Sequence, residues 1–395
     1  VTTPPALRAI LDRTPSPGAW ASGQADRAIA GIVRRAPAGS PAASRLHRVL
    51  RLPIHALIAW AVFSFLLFDA ATAQNARGYP AASLSLVAIP AGLLLLRRPL
   101  LLGLVMAAAS VYLRALYLGI PETCDQMAVS RAALGVIDGG GNPWGFGYAE
   151  SVPPGAPYPY GPLAAFTSLF GVPGEVAAMG AILALLAWQR ALLTLAFLGA
   201  WVAWIELGVC GINDQVPALL LLGGLLLLEK RRLSGALLVA LSVGIKPYSF
   251  AWVPPLMGYG GLVVSLVLLG GVAVTWAPLL LWGPRSYLDS VEMARGIHPR
   301  SENTLNMPAL RILALPVAIA ALLVRSWSTA VLTGALIFMT VLFLDFWASF
   351  GYWLVVLPPV GIVLERSLLR FGARLRAAIA ANPVEAPAGA TPATA

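Results

Sequence analysis

The chain alternates between long apolar runs and short polar breaks. Runs near 53–70, 81–96, 99–119, 174–188, 191–209, 216–229, 233–246, 248–258, 261–282, 308–324, 328–345 and 348–365 carry little internal charge. A helix needs about 20 apolar residues to cross a hydrocarbon core of about 30 Å. Most of these runs approach that length and are predicted to be membrane-spanning helices. The run 248–258 is too short to cross alone, so a kinked or re-entrant pair with the preceding run is expected around Pro247. A half-helix at the surface is expected over 160–171. The expected fold class is all-α: a polytopic integral membrane protein of about 10–12 transmembrane helices.

Composition agrees. The 395 residues are 58% hydrophobic and 11% charged, where soluble domains carry roughly 25% charged residues. A net charge of +10 raises the question of nucleic acid, but the basic residues fall at the ends of apolar runs. Orientation in a bilayer explains that distribution, and no nucleic-acid partner is expected. Arg97–Arg98, Arg190, Lys230–Arg231–Arg232, Arg325 and Arg366–Arg370–Arg374–Arg376 fall on one side if both termini are cytoplasmic. The opposite, extracytoplasmic side then receives Asp69, the segment 125–162, Asn213–Asp214–Gln215, Lys246, the loop 283–307 and Asp345. Three parts are predicted: a basic, mostly flexible tail at 1–52 with a short amphipathic helix near 22–35, a transmembrane domain at 53–370, and a partly disordered tail at 371–395.

The segment from Cys124 to Pro162 breaks the pattern most sharply. It is rich in glycine, proline and aromatic residues, yet it lies between apolar runs. Such backbone cannot face lipid with its N–H and C=O groups unpaired. It must lie at the membrane surface or line a cavity, and a long loop of this kind is usually functional.

Several residues there and nearby suit chemistry. Asp125 follows a span and precedes a helical pattern, which suits an N-cap or a general base. Gln126 can orient a substrate. GGGNPWGFGY at 139–148 lacks the spacing of a nucleotide loop, so it reads as a turn-rich surface or an anion cradle. Asn142 lies within it. Trp144, Tyr158 and Tyr160 suit stacking on a sugar face or anchoring at the interface. Asn213, Asp214 and Gln215 stand at the outer mouth of a span and suit capping or sugar hydroxyls. Lys246, one of two lysines among 27 basic residues, lies at the end of an apolar run before Pro247. It suits a snorkelling chain or a cation for a phosphate leaving group. His298 and Arg300 belong to the long outer loop. Three scattered histidines give no metal spacing, so no metal site is expected; a divalent cation held by Asp125 and a second acid is the remaining option. Cys124 and Cys210 fit a disulfide on the oxidising side or two buried thiols equally.

Together, Asp125, GGNPWG, PYGPLAAF, GINDQVPALLLL and Lys246–Pro247 resemble the GT-C glycosyltransferases. The chain is most similar to the bacterial polyprenyl-phosphate-mannose-dependent mannosyltransferases of glycosyltransferase family 87. It resembles the catalytic subunit of the first GPI mannosyltransferase more distantly. The resemblance covers about 120 to 255. It implies a GT-C-type fold with an extracytoplasmic active-site loop, a polyprenyl-phosphate sugar donor, and inverting transfer of a hexose, mannose favoured. The acceptor would be lipid-linked or a glycan, and Asp125 would be the general base. Asn213 and Gln215 are shifted from the family's G-Q-x-N order, while Lys246–Pro247 match its Lys-Pro. Asp69, after the first span, competes for the catalytic position; Asp125 is preferred because GGNPWG follows it at the family's spacing. The alternative function is a transporter or a lipid-linked sugar flippase, which would be expected to show internal repeats that this chain lacks.

Overall fold

The computed structural model describes residues 17–35, 52–73, 87, 89–118, 122–152, 154–297, 304–345 and 350–381. His298, Arg300 and the tail at 382–395 lie outside the described residues. The chain divides into two compact units, one of Val1–Ile54 with Leu364–Ala395 and one of His55–Val363. Segments from the two ends of the chain share a unit. In that unit α1 (Pro17–Arg35) starts earlier than the expected 22–35 helix, and Asp26 pairs with Arg374 at 3.5 Å.

The second unit contains α2 (Ile54–Ala73), a helical stretch at 89–95, α3 (Pro99–Ala115), α4 (Gln126–Asp138) and α5 (Ala164–Thr167). Then come α6 (Gly171–Trp188), α7 (Leu192–Ala200), α8 (Val202–Leu207), α9 (Gln215–Leu227) and α10 (Arg232–Ile245). A 3₁₀ turn (Pro247–Trp252) leads into α11 (Val253–Thr275), α12 (Pro278–Trp282) and α13 (Pro284–Ile297). A second 3₁₀ turn (Pro308–Leu313) precedes α14 (Ala314–Ala321) and α15 (Trp327–Leu344), and α16 (Trp353–Ala380) begins here. Proline opens α3, α12 and these two of the 3₁₀ turns, where its missing N–H leaves no helical bond unmade. The strands among the described residues are β1 (Gly147–Tyr148) and β2 (Ala156–Pro157), a two-residue antiparallel pair that pins the loop after α4. The protein is all-α in class.

Among the described residues, three stretches are long and apolar enough to cross a membrane: Gly171–Trp188, Pro247–Trp282 and Trp327–Leu344. Shorter apolar helices include Pro99–Ala115, Gln215–Leu227 and Arg232–Ile245. Outward faces are apolar too; Leu262 is 75% exposed and Leu280 83%. Helices apolar on all sides bury one face in the bundle, and their exposed apolar faces are of the kind that meets lipid or a partner.

Pro247–Trp282 is not one straight rod. Gly261 inside it has φ 75° and ψ −171°, left-handed backbone that only glycine adopts without strain. Before this point Gly258 accepts a bond from Arg325 Nη1 at 2.7 Å, and the Arg232 guanidinium lies over the Tyr259 ring. Beyond it, Trp276 Nε1 reaches Val243 O at 3.3 Å, and Thr275 packs against Gly244. Residues 247–260 therefore run away from the Lys246 end of α10, and 262–275 run back toward it. The two apolar runs of the sequence, 248–258 and 261–282, are the arms of a hairpin. The chain therefore reverses twice: at Lys246–Pro247, where α10 ends in extended backbone and a re-entrant pair was expected, and again at Gly261, which was not expected.

Residues 160–171 also differ from expectation. Only Ala164–Thr167 is helical, and Ala164 and Ala165 are fully buried. Gly161 N–H and Leu163 N–H donate to Ile245 O and Gly244 O, both at 3.0 Å, completing the end of α10. A side chain at 161 would strike the Gly244 carbonyl, so a glycine is needed for this approach.

Candidate active site

Two loop ends are stapled together beneath the polar end of the bundle. Cys124 and Cys210 form a disulfide, and Cys124 N–H donates to Cys210 O at 2.7 Å. Met127 N–H donates to Gly211 O at 2.8 Å, satisfying a free donor in the first turn of α4. The staple brings the start of α4, with Asp125 and Gln126, against the start of α9, with Asn213, Asp214 and Gln215.

Asp125 and Asp214 both occupy N-cap positions, yet neither side chain caps its own helix. Asp125 Oδ2 instead accepts from Val152 N–H at 2.8 Å, across the loop. Asp214 Oδ1 pairs with Lys246 Nζ at 3.1 Å and accepts from Tyr248 O–H at 2.9 Å. Glu175 takes the capping role for α9: its Oε2 accepts from Gln215 N–H at 2.8 Å and Val216 N–H at 3.3 Å. A carboxyl oxygen there satisfies two of the unpaired donors in the first turn of α9.

Lys246 is 1% exposed, so it does not snorkel. Besides Asp214, its ammonium donates to Gln126 Oε1 at 3.3 Å and lies 3.8 Å from the centre of the Tyr160 ring. The bonds from 161 and 163 to α10 set the ring there. An ammonium this deep is tolerable only when paired and bonded on several sides.

A cavity of about 580 Å³ opens above these groups. Asp125, Gln126, Tyr160 and Lys246 line it together with Arg311 and Asp345, which pair at 2.7 Å. Val129, Val152, Leu207, Ile212, Val291 and Val341 supply apolar wall. The size and the mixture of apolar wall with a few converging polar groups suit a ligand site.

The other expected site residues stand behind the wall. Asn142 makes a turn: its Nδ2 donates to Trp282 O at 3.0 Å and its Oδ1 accepts from Trp144 N–H at 2.9 Å. Trp144 is buried against Trp276, Trp282 and Tyr287, with Nε1 donating to Tyr160 O at 3.2 Å. Tyr158 is buried and donates to Gly161 O at 3.0 Å. None of the three offers a free face to a sugar; they hold the loop that carries Tyr160. Asn213 Nδ2 donates to Ser130 Oγ at 2.9 Å, and Asn213, Asp214 and Gln215 are all fully buried. Asn213 N–H donates to Gln126 Oε1 and Asp214 pairs with Lys246, and none of the three lines the cavity. Asp69 is exposed on α2 and does not line it.

Burial raises the phenols of Tyr148, Tyr158 and Tyr160 above the usual range, so they remain neutral donors. Burial pushes Tyr287 up to about 12. Among the described residues no group of three or more His, Cys, Asp or Glu is arranged to hold a metal.

Sequence reasoning missed Glu175, Arg311, Tyr248 and the site role of Asp345. Glu175 had a signal, a lone carboxylate inside an apolar run. Arg311 had a weaker one, the single charge at the head of the run 308–324. Compared with known proteins, the chain matches no family model, no curated protein and no solved structure.

Proposed function

We propose that this protein is a polytopic membrane glycosyltransferase whose cavity opens on the extracytoplasmic face. It would transfer a hexose, mannose favoured, from a polyprenyl-phosphate donor to a lipid-linked or glycan acceptor. The observation that carries the reading is the convergence of the Asp125 carboxylate with Lys246 and Arg311 on one apolar-walled cavity. Two facts support the orientation. The Cys124–Cys210 disulfide at the cavity belongs in an oxidising compartment. Arg97–Arg98, Arg190, Lys230–Arg232 and Arg325 mark the other ends of the helices.

In this mechanism the acceptor hydroxyl lies beside Asp125. As its oxygen bonds to the sugar's anomeric carbon, its proton passes to Asp125 and the bond to the phosphate oxygen breaks. The carbon inverts and the lipid phosphate leaves. Among the described residues Asp125 Oδ1 accepts no hydrogen bond, so a lone pair is open for that proton. Arg311, 41% exposed, is the better partner for the developing phosphate charge. Lys246 is already surrounded by Asp214, Gln126 and Tyr160, and its role is to hold the floor. Apolar wall suits the first isoprene units of the donor.

The test is transfer of radiolabelled sugar from polyprenyl phosphate by purified protein. Asp125→Asn removes the base and keeps an acceptor for Val152 N–H. General-base catalysis is worth about 10²–10⁴-fold, and a loss of that size at matched folded amount is expected. Asp69→Asn should transfer normally. A dead Asp69→Asn beside an active Asp125→Asn would overturn the assignment. Sugar uptake into vesicles without transfer would favour a transporter instead.

A further inference from the structure

The far ends of the same helices carry a second site. A cavity of about 510 Å³ surrounds the hairpin turn and is lined by Arg232, Gly258, Tyr259, Gly261, Ser265 and Arg325, among others. Arg232 begins α10, whose other end leads to Lys246. Arg325 precedes α15, whose other end leads to Asp345. The helices are 14 and 18 residues long, so roughly 20–27 Å of bundle separates the two cavities.

Arg325 is held by three carbonyls and Arg232 is exposed beside a ring, and neither is neutralised among the described residues. Arg325 Nη1 donates to Gly258 O at 2.7 Å, Val324 O at 3.0 Å and Leu322 O at 3.1 Å. Arg232 lies 5.7 Å from the centre of the Tyr259 ring. No lining residue is acidic, and neither arginine forms an ion pair among the described residues. Carbonyl and ring contacts thus leave two guanidinium groups with their charge unspent, the arrangement that recognises phosphate oxygens. Beside the cavity the surface is apolar: Leu262, Val263 and Leu266 are exposed along the returning arm. Anionic head groups bind basic pockets between helices on the cytoplasmic side of membranes.

We propose that this cavity binds the phosphate head group of an anionic membrane phospholipid, with its acyl chains along Leu262 and Leu266. The proposal shares the membrane reading of the proposed function but not its chemistry. The phospholipid would clamp the hairpin turn at Gly261, whose first arm descends from the cavity of Asp125 and Lys246.

The experiment is native mass spectrometry of the full chain in detergent, titrated with phosphatidylglycerol, phosphatidylcholine or inorganic phosphate. Phosphatidylglycerol should bind saturably, phosphatidylcholine at least tenfold more weakly, and inorganic phosphate should not displace the lipid at matched concentration. Arg232→Gln should weaken phosphatidylglycerol at least tenfold, and Arg232→Lys should restore most of the loss. Arg325→Gln should weaken it too, but also loosens three carbonyls of the turn; Arg232→Gln, which loses only a ring contact, is the variant that decides. Unchanged phosphatidylglycerol binding in Arg232→Gln, or equal binding of phosphatidylcholine, would overturn the proposal. Full displacement by inorganic phosphate would assign the site to a free anion and overturn the lipid. Loss of sugar transfer in Asp125→Asn bears on none of these readings, so the two sites fail separately.

Discussion

Lys246→Met tests the floor of the site most directly. The substitution keeps the chain's length and removes its charge. Asp214, fully buried, would lose its ion pair at 3.1 Å and keep only the Tyr248 hydroxyl at 2.9 Å. Its other oxygen, Oδ2, already has no hydrogen-bond partner among the described residues. Removing one member of a buried pair costs about 3–5 kcal/mol, because the remaining charge is stranded in a low dielectric. Replacing both members by apolar groups of similar size is often neutral or better. Lys246→Met with Asp214→Leu should therefore recover most of the loss. A residual deficit of about 1–3 kcal/mol is expected where Tyr248 O–H loses its acceptor. Gln126 also loses its bond from Lys246, so stability should return further than transfer does. The assay is equilibrium unfolding in detergent followed by tryptophan fluorescence, beside sugar transfer at matched folded amount. Wild-type stability in Lys246→Met would refute the reasoning, since it would mean that the ammonium reaches water. Equal damage in the single and double variants would show that the pair is not the source of the cost.

Three further outcomes are expected. Cys124→Ser with Cys210→Ser opens a loop spanning 86 residues, worth about 4–5 kcal/mol in the chain-entropy account. Transfer should fall with it, and a fully active, fully stable variant would count against the staple's role. Tyr160→Phe should behave as wild type, whereas Tyr160→Leu should lose about 0.5–2 kcal/mol of stability with the ring over Lys246. Tyr287, raised by burial to about 12, should hold its full stabilising contribution below pH 10 and lose it between 10 and about 12. Titration followed by phenolate absorbance checks this, and a phenol ionising at 10 in the folded protein would contradict the packing.

The apolar pattern by itself located most helices of the bundle, because a run that is hydrophobic on every face can be little else; it did not show α13, a polar helix in the segment read as a loop, or the break at Trp201 inside the run 191–209. It separated 248–258 from 261–282, although the glycine that reverses the chain was not singled out. It also located Asp125, Gln126, Tyr160 and Lys246, since charge or turn-rich backbone between apolar runs is conspicuous in one dimension. What it could not decide was which polar groups face outward. Asn213, Asp214 and Gln215 look like ligand residues at the mouth of a helix, but tertiary packing buries them completely. Trp144 and Tyr158 look like stacking platforms, but their partners lie far along the chain in Trp276, Trp282 and Tyr287, or in a turn of the loop itself. Glu175 caps a helix that begins 40 residues later, and Arg311 meets Asp345 only after the chain has reversed through α14 and α15. Local pattern fixes where most of the helices are, because hydrophobicity acts residue by residue. Pairing among buried polar groups depends on which helix ends meet, and here a disulfide, a glycine hairpin and two loop-to-helix hydrogen bonds set that.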